Sequence, residues 1–560
     1  MAKKISPASR SAASKNVSSN IPTEKWLPWA LSVIAFLLFS IGLKNEMVVI
    51  DDLAATLENP AVRDFHLFSG FNLGMYAPVT WFGYAMANFF GKESSAAFHL
   101  LSAIVHAVNV MLVFKLFRRL GSNLAVAGMI TFAFAIHPIQ VESVAWIAGF
   151  STPLFSMFSL LAMNFYLRHC ADETLGKNYW MTLAMFLLAC LSKSLAVSLP
   201  LTLLVLDFWM KRDQNRRTYL EKAPFFAFAL AFGALTIYSR QYAPELNQPA
   251  DFNLLDRGLM VCHTVLLYWT KLILPTGLSI WYPFEKTDGV WNWSYYGSPL
   301  LLGALLYGAW RSRVKMPILW IGVLFYLANI ILSLPWATFG ASELRADRFN
   351  YLACLGIFAI LAALPAFVAD KKPDWVNSTW GLLFGLGVLW LVLAGARIMD
   401  WKNSISLVES ALASTGDNFG KAYLLRGIVL ADRGDGDPAI QDFNKAMGKN
   451  PRLYDAYKYR GNIMGLRKNY QQSVVDLTKY INRFPDAAPE IYNRGLSFTN
   501  LGRDTAALAD YNRCLEIDST FVRAYRARGN TYLKFGETEK GNTDLKKYNL
   551  LEKQQQNTGK

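Results

Sequence analysis

Long apolar runs govern what this chain can fold into. Residues Trp26 to Leu43 form the first, too long for a signal-peptide core and followed by no small-residue cleavage site, so it reads as a retained span. Further runs lie at 96–117, 122–137, 142–167, 178–192, 194–210, 223–239, 297–311, 316–334, 351–369 and 378–397. With 53% hydrophobic and only 17% charged residues, a 560-residue chain of this kind is too apolar for an ordinary soluble protein. The expectation is an all-α polytopic membrane domain over 26–400, with about 11 spans and a first outer loop at 45–95.

Cations set the orientation. Residues 1–25, rich in Ser, Ala and Lys, read as a disordered tail. Lys3, Lys4, Arg10, Lys15 and Lys25 place that tail in the cytoplasm, which puts Asp51 and Asp52 outside. Lys115, Arg118 and Arg119, then "KRDQNRR" at 211–217, "RSRVK" at 311–315 and "KK" at 371–372 all fall inside. One apolar segment, 256–275, carries Arg257, His263 and Lys271; a full crossing there would move both later basic loops outside. It is therefore expected to be re-entrant, interfacial or buried in the bundle. Eleven crossings remain, an odd number, so the C-terminal part lies outside, with a bacterial inner membrane favoured. The net charge of +15 is accounted for by this topology and implies no nucleic-acid partner. Cys170, Cys190, Cys262, Cys354 and Cys514 form no CxxC, and the six histidines lack metal-ligand spacing, so neither a disulfide framework nor a zinc site is expected.

From about residue 416 the apolar runs stop and a period appears. Gly427, Gly461, Gly495 and Gly529 lie 34 residues apart, each preceded by an arginine: Arg426, Arg460, Arg494 and Arg528. Tyr423, Gly427, Ala439, Phe443, Ala446 and Pro451 occupy the tetratricopeptide positions. Four repeats follow at 420–453, 454–487, 488–521 and 522–555, the last decaying as a cap should. They predict an α-solenoid whose concave face binds a polypeptide; stabilising a dimer is the plainer alternative.

Charges beside a membrane are costly and need a reason. Candidates are Asp51, Asp52, Glu58 and Asp64 in the first outer loop, His137 and Glu142 in "HPIQVE", Lys193 in "LSKSLAV", and Glu343, Arg345, Asp347 and Arg348 in the loop 335–350. The topology gathers them on one face, which suits a lipid-phosphate donor. Lipid phosphate leaves as an anion and needs cations, which arginine supplies bidentately. The incoming hydroxyl needs one carboxylate as base for a single inverting displacement. A second carboxylate would orient the first, raise its pKa, or hold a divalent metal; a metal is not favoured. The plainer readings stand beside these: Asp51 and Asp52 as solvated acids or a helix cap, His99 and His106 as buried hydrogen-bonding groups on one helix face, and His137 before Pro138 as a helix end. The aromatics of "IWYPFEKTDGVWNWSYY" read as an interfacial belt or the lining of a sugar or lipid path.

The chain resembles the GT-C class of membrane glycosyltransferases, and more narrowly the transmembrane-and-tetratricopeptide protein O-mannosyltransferases and their bacterial relatives. The pieces that carry this are "DDLAATLENPAV", "YAPVTWFGYAMANFFG", "FHLLSAIVHAVNVMLVFKLF", "HPIQVESVAWIAGF", "LSKSLAVSLPLTLLVLDFW", "LILPTGLSIWYPF" and "ADRFNYLACLG", in order, and then the repeats. The resemblance implies Asp51 as base or acceptor-orienting acid with Asp52 beside it. It implies Arg348 and Lys193 as holders of the donor phosphate, and His99, His137, Glu142, Asp347 and Tyr351 as site lining. The chain departs from relatives at Ser194, where Glu often follows the lysine, and at Phe349, where Tyr is commoner. The expected partners are a polyprenyl-phosphate sugar, membrane lipids and an acceptor polypeptide presented by the repeats near Asp51, with no resident cofactor. Two rivals stay open: transfer of a lipid-linked oligosaccharide or to a lipid or polysaccharide, and a non-enzymatic scaffold.

Overall fold

The computed structural model describes residues 22–68, 70–172, 175–239, 241, 252–284, 286–287, 289–336, 345–415 and 419–558. Most of the expected tail, and Glu343, lie outside them. The fold is almost wholly helical, with one two-residue hairpin pairing Lys286–Thr287 and Val290–Trp291 among the described residues. It divides into two compact units, Met1–Leu407 and Val408–Lys560.

In the first unit a helix occupies each of the eleven expected segments. Among the described residues six helical stretches are long and apolar enough to cross a membrane, or seven if a pair bent by 49° at Pro138 is one span. The bend has a local cause. His137–Pro138 ends the helix Leu124–Ile136, because proline lacks the N–H and disfavours helical backbone before it. His137 Nδ1 then accepts from the Ile139 N–H and starts a short 3-10 turn. The expected span at 142–167 consequently begins later, as Ser151–Asp172. The intervening residues form the short helix Val141–Ala145 and a turn at Trp146–Phe150, packed into the bundle. The segment expected to be re-entrant, interfacial or buried is one helix, Leu254–Ile273, opened by an Asn253–Asp256 capping box. It buries Leu259, Met260, Thr264, Tyr268 and Leu272 and leaves Leu254 and Leu255 outside.

Backbones meet closely where small residues permit. A Cβ built on Gly356 would lie 2.2 Å from the Gly322 carbonyl oxygen, so the helices Pro317–Ile330 and Asn350–Ala362 touch through their main chains there. The outward faces carry Leu230, Ile237, Leu300, Leu382 and Phe384 exposed, as lipid-facing helices do. The basic loop after Trp209 is fastened by a buried ion network. Lys222 meets Asp207 at 2.5 Å, and Arg212 binds Glu221 and the Tyr166 hydroxyl. Every charge in that network has an opposite partner, which offsets the cost of burying it.

In the second unit eight helices from Gly420 to Thr558 form four antiparallel pairs. The repeat glycines seat the second helix of each pair against the first: a Cβ on Gly427 would lie 2.6 Å from Phe443, and one on Gly495 2.7 Å from Tyr511. The arginine before each glycine forks onto an aspartate sixteen residues later. Arg426–Asp442, Arg460–Asp476, Arg494–Asp510 and Arg528–Asp544 are all bidentate, at 2.6–2.9 Å. The remaining guanidinium nitrogen reaches back one repeat, from Arg460 to Asn444, from Arg494 to Thr478 and from Arg528 to Asn512.

Candidate active site

A cleft of about 350 Å³ opens in the first unit, within the range of small-molecule sites. Asp51, Lys193 and Arg348 all line it, with Asn72, Thr80, Trp81, Tyr84, Trp146 and Ser151 among its walls. Three separate stretches of sequence thus bring one exposed carboxylate and two cations to one space.

Asp51 sits just before the one-turn helix Asp52–Ala55 with φ +60°, left-handed backbone that is unusual for a non-glycine residue. Its carboxylate makes no capping hydrogen bond to that turn, so the cap reading does not describe it. Residues with such backbone persist where their surroundings hold them, and here the surroundings are explicit. Asp52, only 1% exposed, accepts from the Val48 N–H at 2.8 Å and from the Ala148 N–H at 2.9 Å. Burial pushes its carboxyl up to about 7, with the Asp51 charge adding to the shift, against these two bonds and the Trp146 indole. The two adjacent acids are therefore unlike: Asp51 faces the cleft and Asp52 braces the loop from behind.

The loop is also tied to the far end of the unit. The Asn45 amide donates to the Ile398 carbonyl, Glu46 N–H to the Lys402 carbonyl and Val49 N–H to the Ser404 hydroxyl. Trp146 donates its indole N–H to the Ile50 carbonyl at 3.1 Å, and the Tyr84 hydroxyl holds the Ile147 carbonyl at 2.7 Å.

The cations are held with equal care. Arg348 forms an ion pair with the buried Glu142 through its side chain and donates its backbone N–H to the same carboxylate at 3.2 Å. Its guanidinium also lies 5.1 Å from the Trp146 ring centroid, within cation–π range. Lys193 falls in the break after the helix Lys177–Ser192 and donates to Thr152 Oγ1 at 2.6 Å. Burial and the nearby Arg348 pull its ammonium down to about 7, against the pull of Glu142.

The other expected lining residues lie in the interior and are not among the cleft walls. His99 is buried in the helix Ser95–Arg119. His137 packs its ring against Trp390 at 4.5 Å. Asp347 accepts from the Tyr282 hydroxyl at 2.6 Å, and Tyr351 bonds His106 at 2.7 Å and Asn109 at 3.0 Å. Glu142 contacts the site through Arg348 and acts electrostatically on Lys193. Arg345, also a candidate, is spent on the Tyr282 and Pro283 carbonyls and His263, and anchors the segment that carries Arg348. Among the described residues no three His, Cys, Asp or Glu side chains gather as metal ligands would. Sequence reasoning missed Trp146, Thr152 and Tyr84. Trp146 is the extended residue that ends the helix Val141–Ala145, so no helical spacing marked its place beside Glu142 at Arg348.

Residues 77–239 match the family model described as dolichyl-phosphate-mannose-protein mannosyltransferase, and residues 491–521 match a tetratricopeptide repeat. A protein O-mannosyl-transferase of Caenorhabditis elegans is 24% identical over 436 residues, covering 72% of this chain and 60% of the relative. The protein O-mannosyl-transferase tmtc2 of Xenopus laevis is 27% identical over 243 residues, covering 40% of this chain and 28% of the relative. The chain thus spans less than two thirds of the length of these curated relatives. A crystal structure of MamA matches with TM-score 0.26 and 22% identity, over 28% of this chain and 90% of that one. The resemblance read from the motifs, to protein O-mannosyltransferases that combine a membrane domain with tetratricopeptide repeats, stands on these matches.

Proposed function

We propose that this integral membrane protein is an inverting glycosyltransferase that moves a sugar, mannose by its relatives' names, from a polyprenyl phosphate to Ser or Thr hydroxyls of a polypeptide. The reading is carried by one observation: an exposed carboxylate and two cations line a single cleft in the unit that contains the mannosyltransferase match. The acceptor hydroxyl attacks the anomeric carbon and loses its proton to Asp51. The bond from that carbon to the phosphate oxygen breaks, and polyprenyl phosphate departs with its charge received by Arg348 and Lys193. One displacement by one base inverts the anomeric centre. Asp52 acts on Asp51 through the backbone it braces. The tetratricopeptide repeats bind the acceptor, their usual use. The N-terminus is cytoplasmic, and the cleft and the repeats are periplasmic.

The test is transfer by the full chain in lipid vesicles, with synthetic polyprenyl-phosphate sugars and Ser/Thr-containing polypeptides, scored by mass spectrometry and by the anomeric configuration of the product. Asp51→Asn should lower turnover by roughly 10²–10⁴-fold, the span of a general base, while leaving fold and donor binding intact. Unimpaired transfer by that variant would remove Asp51 from the chemistry. Activity changes confined to deletion of 416–560, with Asp51 and Arg348 variants silent, would favour the scaffold.

A further inference from the structure

The base and the phosphate-binding cation come from segments nearly three hundred residues apart, and one side chain touches both. The Trp146 indole N–H donates to the carbonyl of Ile50, the residue whose peptide leads directly into Asp51. The face of the same indole lies 5.1 Å from the Arg348 guanidinium. We infer that Trp146 is the positioning residue that sets the distance between Asp51 and Arg348; this rests on the function proposed above.

Three observations support it. The indole is itself immobilised: it is 6% exposed and stacks on Trp401, with centroids 5.7 Å apart and planes at 28°. Its backbone is fixed as well, because the turn that follows is held by Tyr84 on the Ile147 carbonyl and by Asp52 on the Ala148 N–H. Gly149 closes that turn so tightly that a Cβ there would lie 2.9 Å from the Glu142 carbonyl oxygen and 3.4 Å from Trp146 Cβ. Finally, Asp51 has φ +60°, so the orientation of the Ile50–Asp51 peptide is not one the chain adopts unaided. The bond from Trp146 to that peptide's own carbonyl fixes it. The indole thus does for the carboxylate what Glu142 does for the guanidinium, and its ring joins the two.

The two contacts separate by substitution. Trp146→Phe keeps an aromatic face for Arg348 and removes the N–H. Benzothienylalanine at 146 keeps the shape of indole and removes only the N–H, so it serves where phenylalanine does not fold. Trp146→Leu removes both contacts. The full chain is assayed for turnover, and the affinity for polyprenyl phosphate itself is measured as the readout of Arg348. Misplacing a reacting group by about 1 Å costs up to ~100-fold, so a loss in kcat of about tenfold or more is expected for the N–H-deficient variants, with polyprenyl phosphate affinity within about twofold. Trp146→Leu should weaken that affinity as well. Full turnover in both N–H-deficient variants, beside an inactive Asp51→Asn, overturns this inference alone. An equal fall in kcat and in polyprenyl phosphate affinity in those variants also overturns it, since that is the mark of a merely structural residue. An active Asp51→Asn overturns the function proposed above instead.

Discussion

Glu142 holds Arg348 twice, once through the guanidinium and once through the backbone N–H. The carboxylate is fully buried, whereas a quarter of the arginine side chain is exposed. The pair is therefore a bracket: its buried half fixes the direction in which its exposed half presents charge to the cleft.

Glu142→Gln keeps the shape and removes the charge. The expected cost is about 2 kcal/mol, below the 3–5 of a wholly buried pair because Arg348 retains water. Thermal unfolding in detergent reads the stability. Donor affinity should fall with it, since the guanidinium loses its orientation.

On the proposed function, Lys193 should make donor binding depend on pH. Its ammonium titrates at about 7, so the free protein carries that charge below pH 7 and loses it above. Affinity for a polyprenyl-phosphate sugar, a diester that does not itself titrate in this range, should fall as pH rises from about 6 to 8. Measuring it in an Asp51→Asn background avoids turnover, and Lys193→Met should flatten the profile.

Asp52 predicts the pH dependence of stability. Its folded pKa of about 7 lies above the ordinary value of 3.8, so the native state binds the proton more tightly than the unfolded state. That contribution is present below about pH 4 and is lost as pH rises through 7. Asp52→Asn cannot titrate and should lack this slope. At pH 4.5 it should also be less stable, by about 1–3 kcal/mol, because an amide NH2 cannot accept from both Val48 and Ala148, and this deficit should narrow as pH rises and the wild-type carboxyl ionises. Melting temperatures of both proteins between pH 4.5 and 8 check the two statements.

Within the repeats, Arg460→Met leaves Asp476 buried with its guanidinium fork gone, and also cuts the tie to Asn444. A loss of about 3 kcal/mol is expected, and adding Asp476→Leu should recover much of it, because the remaining unpaired charge is what costs most. Limited proteolysis of the repeat unit in the full chain reports both.

Periodicity made the two halves of this chain legible. Apolar runs announced the helices of the first unit, and the spacing of Gly427, Gly461, Gly495 and Gly529 announced the solenoid. The Arg–Asp forks were within reach too, since Asp442, Asp476, Asp510 and Asp544 repeat at the same 34-residue interval. What periodicity cannot carry is which polar groups face inward. Adjacent acids such as Asp51 and Asp52 look alike in sequence, and only the Val48 and Ala148 amides separate their roles. The span expected from 142 starts later, at about 148–151, for a related reason: residues 138–150 are buried within the protein. The long apolar helix Leu254–Ile273 was recognisable as an anomaly by its charges, and the capping box at Asn253 explains where it starts.

The loop bearing Asp51 donates hydrogen bonds to Ile398, Lys402 and Ser404. A ribosome makes those partners more than three hundred residues after the loop itself. The nascent chain therefore carries an unfinished loop through the earlier stages of membrane insertion, and these ties close only once residues 398–404 arrive. A chain truncated before residue 398 would carry the Asp51 loop without those three ties.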